Sequence, residues 1–231
     1  MTTSSRYYYQ LTRDEIATAA LRKLGVIAEG QTPSAQNLAD AQVALNSTIA
    51  ELRSKGMPLW ARNEYTFTPT TNVYTIGEGM TLNTPFPVKL LQAYRLDSSN
   101  AKVPMELVAR EDFNILPRNS NGIPIKVNYQ PFINYGTISI WPTPDSTNTA
   151  TITLVYQRPF QYFTAGTETM DFPEEWYNAI IYKTAVLLAP EWGIPLQDRQ
   201  MLMTEAKQYI DDALENGQED ASLFIQPQRR M

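Results

Sequence analysis

The chain of 231 residues contains no cysteine and no histidine. Without cysteine there is no disulfide, no thiol nucleophile and no thiolate metal ligand. Without histidine there is no imidazole base or ligand near neutral pH. Positive charge is also scarce: 19 Lys and Arg stand against 24 Asp and Glu, for a net charge of −5. Gripping nucleic acid by its phosphates needs clustered cations, so that class of binding is disfavoured. No apolar run approaches the roughly 20 residues needed to span a bilayer. The opening MTTSSRYYYQ has one cation and no apolar h-region. The expectation is therefore synthesis in the cytosol, with no secretory leader and no membrane partner.

What is present is the composition of a folded protein: 43% hydrophobic, 19% charged and 16 prolines. The chain is long enough for one large domain or two modest ones. Helical patterns occupy its two ends. Thr12 and Glu15 form a capping-box pair, followed by Ile16, Ala20 and Leu24 on one face and Gly25 as a stop. Thr32-Pro33 opens a second stripe of Leu38, Ala41, Leu45, Ile49 and Leu52, ended by Gly56. Near the other end, Pro173, Glu174 and Glu175 mark a first helical turn. Trp176, Ile180, Ile181, Ala185 and Leu188 follow, with Pro190 or Gly193 as the stop. A last stripe runs through Met201, Leu202, Ala206, Tyr209, Ala213 and Leu214 to Gly217.

Between these ends the pattern changes to short alternating runs rich in Thr, Tyr, Val, Ile and Pro. Strands are expected near 64–68, 72–76, 88–96, 102–107, 125–129, 136–141 and 149–157. One helical turn is expected near 110–116. The predicted fold is α+β. Residues 1–56 and 171–217 form a helical bundle from an N- and a C-terminal helix pair. Residues 57–170 form an inserted antiparallel β-sandwich or barrel, and 218–231 a C-terminal extension.

Catalytic constellations are not legible, and the protein is read as a non-enzyme without cofactor or metal. Glu174-Glu175 and the Asp211, Asp212, Glu215 group sit on single helices, which suits solvated faces better than a converging acid/base pair. Asp145 to Asn148 reads as a turn, and Gly77-Glu78-Gly79 lacks the rest of a phosphate loop. The aromatics Tyr7, Tyr8, Tyr9, Trp60, Trp141, Tyr156, Phe160, Tyr162 and Phe163 suit cores and subunit interfaces, with stacking on sugars or bases as the alternative. The extension carries Leu223, Phe224 and Ile225 ahead of Arg229 and Arg230. A short apolar anchor with a basic end suits docking onto a partner, the alternative being a tail without a role.

Several segments carry a resemblance. They are Ala19-Ala20-Leu21-Arg22-Lys23-Leu24-Gly25-Val26 and Lys55-Gly56-Met57-Pro58-Leu59-Trp60. Further along come Trp141-Pro142-Thr143-Pro144, Asp171-Phe172-Pro173-Glu174-Glu175-Trp176 and Leu187-Leu188-Ala189-Pro190-Glu191-Trp192-Gly193. In this order they resemble the head-to-tail adaptor (connector) proteins of tailed bacteriophages, over most of the chain. The resemblance implies a structural virion protein of the neck, forming a ring, usually a dodecamer, beneath the portal. Its partners would be the portal protein, neighbouring adaptor subunits, and a tail nozzle, tail fibre or tail spike protein. DNA would pass through the ring without specific binding, and the C-terminal extension would reach the portal. Another neck or tail component, or a carbohydrate-binding β module, is the competing expectation.

Overall fold

The computed structural model describes residues 8–28, 30–54, 61–97, 99–117, 120–145 and 150–216. These fall into two units: one holds the described residues up to 54 and from 160 onward, the other holds 61–159.

The first unit contains α1 (Arg13–Lys23), α2 (Ala35–Ser54), α4 (Tyr177–Leu188) and α5 (Leu196–Asn216). Helix α1 begins where its sequence says it should. The Thr12 hydroxyl accepts the Glu15 N–H, and the Glu15 carboxylate accepts the Thr12 N–H at 2.8 Å. Two further first-turn donors are met from elsewhere in the chain: Arg13 N donates to Glu168 O at 2.9 Å and Asp14 N to Gly166 O at 3.2 Å. The approach is close, since a Cβ on Gly166 would stand 2.3 Å from an Asp14 carboxylate oxygen. Glu168 holds this loop by accepting the Thr164 N–H at 2.7 Å, the Thr164 hydroxyl at 2.6 Å and the Ala165 N–H at 3.0 Å.

Helix α4 is the centre of this unit. Its Ala179, Ile180, Ala185 and Leu188 are fully buried, and α1, α2 and α5 all pack on it. Thr48 and Thr184 bring hydroxyls together inside the α2–α4 contact, at 3.4 Å. At its edge Lys183 pairs with Glu51 at 3.0 Å. Pro173 is the cap of a single 3-10 turn, Glu174–Trp176, that leads into α4, and so precedes the first turn rather than occupying it. On α5, Ala206, Ile210 and Ala213 are buried, but Met201 and Leu214 of the expected stripe are exposed. Met201 lies five residues before Ala206, about 140° around the helix.

The second unit is one eight-stranded sheet in the order β1-β8-β4-β5-β6-β7-β2-β3. The strands are β1 (Arg62–Phe67), β2 (Val73–Gly77), β3 (Leu82–Asn83), β4 (Lys89–Leu96), β5 (Lys102–Leu107), β6 (Lys126–Pro131), β7 (Gly136–Trp141) and β8 (Thr151–Gln157). A five-residue helix, α3 (Arg110–Asn114), lies between β5 and β6.

This architecture corrects the expected helical bundle with an antiparallel sandwich or barrel. The helices gather on α4 instead of closing as two pairs, with α5 packed chiefly on α4. The sheet is mixed. β2 pairs parallel with β3, and β5 pairs parallel with β6 through Glu106↔Lys126 and Leu107↔Val127. The stretch from β5 to β6, with α3 inside it, supplies the long crossover that a parallel pair ordinarily needs, whereas β2 and β3 meet over two residue pairs across the short turn 78–81. The two-residue strand β3 was not anticipated.

The sheet is barrel-like for a reason that can be counted. β1 and β2 are first and seventh in the sheet, yet residues 68–72 alone join them. In a flat sheet the six intervening spacings would separate them by about 29 Å. Five linking residues reach about 20 Å at most. The sheet must therefore curl, and it does so around one core. Ile76, Val127, Ile138, Ile152, Leu154 and Tyr156 are fully buried in it, from four different strands. The Phe67 and Tyr74 rings meet edge to face at 4.9 Å where β1 and β2 approach. The Tyr74 hydroxyl accepts the backbone N–H groups of Thr70, at 2.5 Å, and Thr71, at 2.7 Å, and so holds the link itself.

Tyr74→Phe should lower stability by about 1–3 kcal/mol, the net worth of two hydrogen bonds. Urea unfolding measures it, and a loss equal to that of an ordinary surface substitution would show that the hydroxyl does not hold the link. A second prediction concerns pH. The Ala165 N–H and the Thr164 hydroxyl and N–H hold the Glu168 carboxyl down at about 2 from its ordinary 4.5. A folded value below the unfolded one stabilises above about pH 4.5 and loses that effect as pH falls toward 2. The urea midpoint of Glu168→Gln should therefore lie below that of the native chain at pH 7, and the two should converge on acidification.

Candidate interaction surfaces

The sequence-predicted docking residues Leu223, Phe224, Ile225, Arg229 and Arg230 lie outside the described residues, as do Tyr7, Trp60 and the Lys55–Trp60 motif. Helix α5, Leu196–Asn216, is the last described element before that extension.

The carboxylates do not converge on a reaction site. Glu174 accepts the Tyr9 N–H at 3.0 Å. Glu175, Asp211, Asp212 and Glu215 are exposed. A cleft of about 620 Å³ opens between Tyr9, α1 and the start of α4, with Asp14, Glu15, Arg22 and Glu174 in its wall. Its acids already have partners: Asp14 pairs with Arg13 at 2.7 Å, and Glu15 serves the α1 cap. The Thr12 N–H and hydroxyl accordingly hold the Glu15 carboxyl below its ordinary value. Among the described residues no group of three Asp or Glu could hold a metal ion. Nor is any helix among them long and apolar enough to cross a membrane.

Four of the singled-out aromatics are structural. Tyr156 is fully buried and shares a hydrogen bond with Thr84 at 2.6 Å. Phe160 and Phe163 are buried, and Phe160 packs on Phe172 at 4.4 Å between ring centroids. Trp141 donates its indole N–H to Pro117 O at 2.8 Å. Tyr8, Tyr9 and Tyr162 remain exposed.

Two apolar surfaces stand out instead. Helix α5 exposes Leu196, Met203 and Leu214 along one line of its surface, and Met201 about 140–160° around from them. The line of Leu196, Met203 and Leu214 fits contact with a partner, and methionine adapts to an irregular one. The second surface is the tip between β6 and β7, where Ile133 is 87% exposed and Phe132 49%. Sequence reading passed over this tip. Its signal was available in Pro131-Phe132-Ile133-Asn134-Tyr135-Gly136, where two large apolar residues occupy a turn that polar ones usually fill.

No protein-family model matches the chain, and no curated protein matches it.

Proposed function

We propose that the protein is a structural adaptor of a bacteriophage neck, forming a ring on the portal and carrying tail components. The observation that carries this reading is the order of the adaptor-like segments along the chain, from Ala19–Val26 through Lys55–Trp60, Trp141–Pro144 and Asp171–Trp176 to Leu187–Gly193. Three of them belong to the helical unit: the end of α1, the turn before α4 and the end of α4. They therefore concern how the helices around α4 are joined. The exposed line of Leu196, Met203 and Leu214 on α5, beside its buried Ala206, Ile210 and Ala213, supports the same reading, because it suits contact with portal or a neighbouring subunit.

The chemistry of such a ring is electrostatic and mechanical. A chain of net charge −5 disfavours sustained binding of DNA phosphates. Carboxylates facing the channel repel phosphates and keep the duplex moving. Screening limits this to side chains within about 8 Å of the DNA at physiological salt. Leu223, Phe224 and Ile225 would anchor the extension on the portal, and Arg229 and Arg230 would pair with acids there. The protein acts without catalysis, cofactor or metal, and its place is the virion.

Co-sedimentation with the cognate portal tests this. The full chain should pellet with the portal, and a chain ending at residue 216 should bind about 10- to 100-fold more weakly, the scale of three buried apolar side chains less their ordering cost. Unchanged binding by the shortened chain would remove the anchoring role. Failure of the full chain to bind would overturn the adaptor reading.

A further inference from the structure

The β unit carries a rigid apolar knob and an apolar groove. The knob is the 132–135 tip. Phe132 N donates to Tyr135 O at 2.8 Å, and Asn134 takes the left-handed conformation at φ 69° that its short side chain tolerates. The Phe132 and Tyr135 rings stack at 5.1 Å and 13°. Beneath them, the Tyr129 ring lies so close to Gly136 that a Cβ there would stand 2.3 Å from it. The Tyr129 hydroxyl donates to Pro87 O and pins the ring in place. A knob ordered before contact loses little entropy on binding.

The groove exists because β5 changes partners. Its described register with β4 runs from Ala93 to Leu96, after which Glu106 and Leu107 pair with β6. The opening left beside the start of β4 is a groove of about 350 Å³ lined by Leu90, Leu107, Val108, Val127 and Tyr129, with Lys89 at its edge. The knob does not fill the groove of its own chain, since Ile133 stands almost wholly in solvent.

We propose that the tip of one copy seats Phe132 and Ile133 in the groove of a second copy. The groove has room for an isoleucine and part of a phenylalanine ring, and both surfaces are apolar. Charge agrees. Exposed Glu78 lies on the loop that supports the knob, where a Cβ on Gly77 would meet Asn134 O and Tyr135 Cβ at 3.2 Å. Exposed Lys89 lines the groove. A carboxylate beside the knob also disfavours an anionic lipid surface as the occupant. The inference goes beyond the adaptor reading and does not rest on it, because both parts belong to the β unit.

The cysteine-free chain makes the test direct. Full-length Ile133→Cys and Leu107→Cys chains, both altered at exposed positions, are mixed and mildly oxidised, and the products are resolved on a non-reducing gel. The mixed 133–107 dimer should exceed the homodimers of either variant alone by about tenfold, a preference worth about 1.4 kcal/mol. Adding Glu78→Lys to the Ile133→Cys chain should lower that yield, and adding Lys89→Glu to its partner should restore it. A mixed yield no greater than the homodimers, or a dominant 133–133 product, would overturn the proposal. Portal binding is read in a separate assay, so failure here leaves the adaptor reading standing.

Discussion

Everything in the β unit follows from one short connection. Residues 68–72 must carry the chain from one edge of an eight-stranded sheet to within one strand of the other. A flat sheet cannot be spanned by so little backbone, so closure is a matter of chain length before it is a matter of packing. The curl then decides which side chains meet. It turns one face of every strand toward a common core and brings Phe67 against Tyr74. It also leaves a gap where the two halves of the sheet are joined by two parallel pairs, Glu106↔Lys126 and Leu107↔Val127. The groove next to that joint is therefore a consequence of the topology.

The helical unit solves a different problem, that of segments far apart in sequence sharing one core. Helix α4 is apolar nearly all round and cannot stand in water alone. Burying it requires α1 and α2 from the start of the chain and α5 from near its end. The Glu168 loop adds a polar tie, placing carbonyls on the N–H groups at the start of α1. Interaction surfaces then arise where packing is already satisfied on one side only. Along α5, Ala206, Ile210 and Ala213 fill the inner face, and Met201, Met203 and Leu214 have no such role.

Local signals were legible in the sequence. The Thr12/Glu15 cap, the buried stripe Ala41, Leu45, Ile49 and Leu52, and the start of β7 at Gly136 all follow from periodicity and turn chemistry. Long-range pairing was not. Nothing in the alternation of β5 and β6 distinguishes a parallel partner from an antiparallel one, and α3 is too short to announce a crossover. Met201 and Leu214 were misplaced because a stripe read at mixed spacing drifts around the helix. The tip at Phe132 and Ile133 is not legible for another reason: alternation places the strands on either side of it and does not show that the turn between them stands in solvent.

The central claim is that this chain assembles on a portal as a ring. Electron-microscope class averages of the full-length protein mixed with its cognate portal test it most directly. The account predicts an added ring of density on one face of the portal, with the portal's rotational symmetry. Bare portals beside free protein, at concentrations where both are soluble, would contradict it.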